Sequence, residues 1–177
     1  THKKPDVGQT YPIETPAESD EFNSPKLGLQ WSWHANPQQA WAFPSINGYL
    51  RMYGQYYPED FVNFWDIPNL LLQKLPAPEF TATAKLSAVL MNEGDKIGLI
   101  MMGWNYAYIS LGKTKEGYAI EYATCNDAEQ KTPEQTVSVT ELKKIKINEK
   151  YNYKTPIPDA EIWLQVKVAD GGICIFA

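Results

Sequence analysis

Cysteine and histidine are scarce in this chain. Its 177 residues hold two cysteines, Cys125 and Cys174, too few for the disulfide framework that small secreted folds use in place of a large core. One bridge or two thiols are open to them, and a buried thiol is the commoner fate in an apolar run such as Ile173-Cys174-Ile175. The pair does not fix a compartment. The two histidines are His2 and His34. No His-Glu-x-x-His, Cys-x-x-Cys, Gly-x-Ser-x-Gly elbow or Gly-rich phosphate loop occurs, so the familiar zinc, redox, acyl-transfer and nucleotide chemistries find no motif here. His34, next to Trp33, reads as a packed or surface residue rather than a catalyst. No apolar run approaches the ~18 residues of a membrane-spanning helix, and no signal peptide opens the chain. Basic charge is also in short supply, at a net charge of -5. The dense basic stretch Lys143, Lys144 and Lys146 alternates with Ile145 and Ile147, as the wet face of a strand would. Nucleic acid, which needs a concentrated basic surface, is not a fitting partner.

What the chain does have is apolar and aromatic substance. Hydrophobic residues make up 44% and aromatics 13%, with six Trp and eleven Tyr against six Phe. A core is affordable at this length, where a single domain buries about 70% of its unfolded surface. An excess of Trp and Tyr, each an apolar body with a polar tip, suits either a large β core or a half-apolar partner such as sugar.

Residues 1–19 read as a linker: they hold Pro5, Pro12 and Pro16 and no apolar period, and proline at that density makes a semi-rigid extended spacer. The expectation is a preceding domain upstream. From Asp20 onward the pattern is that of strands. Phe80, Ala82, Ala84 and Leu86 alternate with Thr81, Thr83 and Lys85; Ile162, Leu164, Val166 and Val168 alternate with Trp163, Gln165 and Lys167. Both apolar sets are expected to face a core. Tyr118, Ile120 and Tyr122 alternate with Ala119, Glu121 and Ala123 in the same way, with one wet face. Turn residues separate the runs at Asn47-Gly48, 92–95, 103–105, 115–117 and 170–172. Many short strands with regular turns predict an all-β, antiparallel β-sandwich or barrel. The segment 140–144 could open a helix, but Ile145 and Ile147 fit a strand better.

A glycosidase needs two carboxylates flanking the scissile bond. The closest acidic cluster, Glu18-Ser19-Asp20-Glu21, sits at the linker edge. Glu121 is the acid in a plausible wall position, and its ordinary reading is a solvent-facing strand residue. No catalytic residue is assigned.

Several stretches, in order, resemble the C-terminal concanavalin A-like domain of family 43 β-xylosidases and arabinofuranosidases. They are 20–37, which opens Asp20-Glu21-Phe22-Asn23 and closes Trp31-Ser32-Trp33-His34-Ala35-Asn36-Pro37; Gly48-Tyr49-Leu50-Arg51; Asn69-Leu70-Leu71-Leu72-Gln73-Lys74; and Gly94-Asp95-Lys96-Ile97-Gly98-Leu99. Residues 3–12 resemble the linker that joins the sandwich to a catalytic propeller. The resemblance implies a jelly-roll sandwich over residues 20–177, an upstream five-bladed propeller holding the catalytic acids, and a contact between the two that in some members closes the substrate pocket. It further implies strands beyond Ile173-Cys174-Ile175-Phe176-Ala177, so a second polypeptide or a second copy is expected to complete the sheet. A departure from the pattern stands at Phe64-Trp65-Asp66-Ile67-Pro68, where Pro68 interrupts a ladder.

The leading expectation is a non-catalytic accessory module of a family 43 glycoside hydrolase acting on xylan- or arabinan-type glycans. The alternatives are an independent carbohydrate-binding module and a purely structural or assembly domain. For sugar contact the candidates are Trp104, Trp33, Trp41 and Trp65, with Trp104 foremost because Gly103-Trp104-Asn105 sets it on a hairpin tip. A calcium ion is conceivable at Asp20 and Glu21, but no metal and no cofactor is assigned. A polysaccharide-degrading parent favours a periplasmic or extracellular location over a cytoplasmic one. Two candidate Trp lining one concave face would favour sugar binding; a flat aromatic patch beside the linker would favour domain docking.

Overall fold

A computed structural model describes residues 6–10, 12, 15–142 and 161–177. The strand expected around Ile145 and Ile147, with its lysines, lies outside the described residues. Among those described, the chain forms β1 (Trp31–Trp33), β2 (Ala42–Ser45), β3 (Tyr49–Met52), β4 (Leu71–Gln73), β5 (Phe80–Ser87), β6 (Lys96–Met101), β7 (Tyr106–Lys113), β8 (Tyr118–Cys125), β9 (Gln135–Glu141), β10 (Glu161–Ala169) and β11 (Ile173–Phe176). Short 3₁₀ turns are the helical content among these residues. Every pairing is antiparallel.

The larger sheet is a meander, β6-β7-β8-β9, each strand hairpinned to the next. The second sheet, β11-β10-β5, pairs Glu161 with Ser87 and Val168 with Phe80 across a long stretch of sequence. β1-β4 and β2-β3 form two smaller ladders. Alternation does what it predicts in β5 and β10: Leu164, Val166 and Val168 are buried, while Trp163, Gln165 and Lys167 are exposed. Phe176 pairs beside Val166 and so shares its face, and its ring meets that of Tyr122 at 5.6 Å. Tyr122 in turn lies beside Ile109 on the meander. The two sheets therefore stack with Ile109 and Leu111 of β7 turned toward β10, and this is the antiparallel sandwich the sequence predicts.

The turns hold two lessons. At Asn47-Gly48 the hairpin closes as its sequence suggests: Ser45 pairs with Tyr49, and Gly48 takes φ 73 with its N–H on the Ser45 carbonyl at 3.2 Å. At 92–95 the turn is real but joins no hairpin. β5 pairs with β10, and β6 with β7, so this turn carries the chain from one sheet to the other. Asp95 organises it by accepting the backbone N–H groups of Met91 and Asn92 at 3.0 and 2.9 Å. A sequence reads local turn chemistry, not the partner of the strand that follows.

β8 has no wet face. Ala119, Ala123 and Cys125 are buried on one side, and Tyr122 packs between the sheets on the other. Glu121 is not a solvent-facing residue either: it accepts from Tyr108 at 2.8 Å and pairs with Lys96 at 3.1 Å, with both partners of that ion pair mostly covered. Phe64 and Trp65 form a 3₁₀ turn that packs beside this pair, on the Tyr106, Tyr108, Ala123 and Cys125 cluster. Phe64 and Trp65 thus pack on the sheet, while the regular β1–β4 pairing ends at Leu71 and Pro68 offers its carbonyl to the Ala35 N–H at 3.3 Å.

Asp20 ties the start of the sandwich down. Its carboxylate accepts the Phe22 N–H at 2.7 Å, the Trp31 indole N–H at 2.8 Å and the Gln30 amide at 3.3 Å. Phe22, held at φ 53, then stacks on Trp31 with ring centroids 5.7 Å apart. This carboxylate is organised by N–H donors as an internal clasp. Asp20→Ala is expected to lower stability by about 1–2 kcal/mol, the scale of charge-assisted bonds at a partly exposed site, read as a shift in the urea midpoint without a change in slope.

Candidate functional site

The four tryptophans proposed for sugar contact occupy different places. Trp41 is buried, 3% exposed, and meets Trp33 edge-on at 5.4 Å. An aromatic face enclosed in this way is not open to a sugar ring. Trp33 is half-buried in β1 as the other half of that pair. Trp65 is half-buried in the turn that covers the meander, and its backbone carbonyl takes a hydrogen bond from His34 Nε2 at 2.9 Å. His34 also packs edge-on to the Trp65 ring, the packed role expected of it.

Trp104 stands apart at 69% exposed. It sits on the β6–β7 hairpin, and the backbone beneath it is fixed by the turn at 126–131. The Trp104 carbonyl accepts from the Ala128 N–H at 2.7 Å, and Asn105 Oδ1 accepts from the Asp127 N–H at 2.8 Å. A shallow, mostly apolar depression bordered by Met101, Asn105, Thr124, Asn126 and Cys174 opens at the same hairpin. Among the described residues, no second ring packs on Trp104. The four candidates do not form a common concave surface.

Sequence reasoning missed a second aromatic surface. In the β2–β3 hairpin, Phe43 pairs with Arg51 and Ser45 with Tyr49, which puts these four on one face. Phe43, Tyr49 and the following Tyr53 are all exposed, and Phe43 packs edge-on to Tyr53. The hairpin turn rests on the segment that follows the proline-rich stretch: a side chain at Gly48 would strike Asn23. Phe43 and Tyr53 were hidden from sequence reading because the hairpin is short and each apolar residue looks like ordinary strand alternation.

A third feature is a polar cluster on the covered face of the meander. Lys96 of β6, Tyr108 of β7 and Glu121 of β8 meet there. Tyr106 donates to Glu134 Oε1 at 2.5 Å, and Tyr108 lies 3.2 Å from Glu134 Oε2. Burial, followed by the two carboxylates, raises the Tyr108 phenol well above its ordinary range. The same influences, burial first and then Glu134, push Tyr57 up to about 12. Both phenols are therefore neutral donors at ordinary pH. Cys125 lies beneath, a free thiol raised mainly by burial and hydrogen-bonded to the Thr132 carbonyl. Cys174 is likewise free. Among the described residues no three His, Cys, Asp or Glu side chains gather as a metal site would require, and no helix is long and apolar enough to cross a membrane.

The architecture is that of an antiparallel β-sandwich. The family model of the β-xylosidase C-terminal concanavalin A-like domain of glycoside hydrolase family 43 matches residues 19–173, and the chain belongs to that family. It is similar to a β-xylosidase of Formosa agariphila, with 33% identity over 122 residues. The match covers 58% of this chain and 20% of that protein, so the chain corresponds to about a fifth of its relative's length. No solved structure matches.

Proposed function

We propose that this module docks on the catalytic domain of a family 43 glycoside hydrolase, steadies it and shapes the rim of its sugar pocket, with residues 1–19 as the linker. The observation that carries this is the exposed Phe43, Tyr49 and Tyr53 face, which adjoins Asn23 just past the proline-rich segment. An aromatic patch with Arg51 at its margin has the composition of a protein interface core. The similarity to a β-xylosidase supports a xylan- or arabinan-type substrate for the parent. At the pocket rim the module's part is water exclusion and positioning.

The test is an assay on aryl xyloside and arabinoside substrates, with this chain alone and joined to its upstream domain. The chain alone is expected to show no turnover. Removing it from the longer protein should lower activity at least about tenfold, and Phe43→Ser with Tyr53→Ser in the joined protein should reproduce most of that loss. Full activity without the module would overturn the proposal. A second reading, sugar contact at Trp104, is favoured by its exposure on a rigid hairpin beside the Asn105 and Asn126 depression; Trp104→Ala should then weaken xylo-oligosaccharide retention in affinity electrophoresis.

A further inference from the structure

The polar cluster under the Phe64 turn holds more hydrogen-bonding capacity than it uses. Its protons can be counted. Tyr108 has one, directed to Glu121 Oε1, so Glu134 Oε2, 3.2 Å from the same phenol oxygen, is left without a proton of its own. Lys96 directs two of its three N–H groups to Glu121 Oε1 and Tyr108, both at 3.1 Å, and keeps the third. Glu121 Oε2 accepts from no described residue. An independent sign comes from Ser110. It is 2% exposed, and its hydroxyl has no partner among the described residues. Ser110 pairs with Glu121 across β7–β8 and with Gly98 across β6–β7, so its side chain issues on the carboxylate face. A buried orphan hydroxyl in a native fold calls for a ligand or an ordered water.

We infer that Glu121, Glu134, Lys96 and Ser110 form a binding site for a neutral polyhydroxy ligand, a sugar residue that presents adjacent hydroxyls. Each free carboxylate oxygen accepts one ligand O–H, and the spare Lys96 N–H reaches a ligand oxygen. Local charge selects the class. Two carboxylates against one ammonium leave the site acidic, which rejects anions, and the cation's position is already filled by Lys96. The rim supplies the apolar half of a sugar's needs: Tyr57 is part-exposed near both carboxylates, and Val139 is exposed on β9 opposite Glu121. The hydroxyl chemistry stands on these contacts alone; the choice of a pentose ligand rests on the function proposed above.

The experiment is ligand-detected NMR titration of the full chain with xylobiose, with D-glucuronate as the anionic control and calcium chloride as the cationic one. Xylobiose is expected to saturate the protein at millimolar concentration, and glucuronate to bind about tenfold more weakly or not at all. Glu121→Gln should weaken xylobiose about tenfold. Ser110→Ala should weaken it a few-fold while the unfolding temperature holds or rises, because an orphan hydroxyl is removed. Gln165→Ala, on the outward face of β10, should change neither. Should Glu121→Gln fail to fold, Ser110→Ala decides. Absence of xylobiose saturation, undiminished binding in Ser110→Ala, saturation by calcium in preference to sugar, or a loss confined to Trp104→Ala would each overturn the inference. The activity of the joined enzyme is measured separately, so a failed docking role and a failed sugar site give different results.

Discussion

Asn63→Ala should unfold at a temperature about 10 °C lower than the parent chain, a loss of about 3–5 kcal/mol. Asn63 is 1% exposed and uses its whole amide. Its Nδ2 donates to the carbonyls of Ala128 at 2.9 Å and Thr132 at 2.8 Å, and its Oδ1 accepts the Trp65 N–H at 2.9 Å. One side chain thereby satisfies three backbone groups in two loops far apart in sequence. Alanine leaves the Trp65 N–H without its partner and takes one donor from each carbonyl, Ala128 keeping the Lys131 N–H and Thr132 the Cys125 thiol; a buried orphan costs about 1–3 kcal/mol and each further lost bond about 0.5–1.5 kcal/mol. Asn63→Asp should be worse, since a buried carboxylate cannot donate to either carbonyl. Calorimetry on the three proteins checks both statements; a loss under about 1 kcal/mol in Asn63→Ala would mean that water replaces the amide completely.

Leu164→Ala should destabilise by about 2–5 kcal/mol. Leu164 is buried at the middle of β10, on the face it shares with Val166 and Val168, and its neighbour across the ladder is Ala84 of β5. With an alanine already beside it, truncation leaves a void that the opposite strand cannot fill. Gln165→Ala, one residue on and facing outward, should change stability by no more than about 0.5 kcal/mol, although Gln165 does bond Thr83 at 3.1 Å. Urea unfolding of the pair measures the difference between the two faces of one strand.

The sandwich was legible because period two survives burial of a single face. Leu164 and Val166 against Gln165 and Lys167 is such a strand, and the β10–β11 turn at 170–172 was readable from its two glycines, both at positive φ. β8 was misjudged for the complementary reason: it is covered on both sides, so Glu121 within it took the appearance of an outward polar residue. Its partner Lys96 lies on β6, two strands away, and no local pattern announces that meeting. The buried Trp41 and the open Trp104 differ in what packs over them, and side-chain type carries no information on that. Trp104 alone had a local signal, the Gly103-Trp104-Asn105 turn. Asn63 had none, because its value comes from two carbonyls supplied by a distant loop.

The connectivity of the two sheets sets an order of events during folding. Among the described residues, strands β6 to β9 pair only with sequence neighbours, so the meander can close by successive hairpins. The apolar face of β5 has no such recourse: Phe80 must await Val168, and Ser87 must await Glu161. During synthesis from the N-terminus, β5 emerges before the meander and stays unpaired until the whole meander has followed it. The meander is then both an early folding unit and the template against which β5 and β10 meet. The joining of those two strands is the step expected to be slow, and a nascent chain stopped short of β10 carries an unpaired β5.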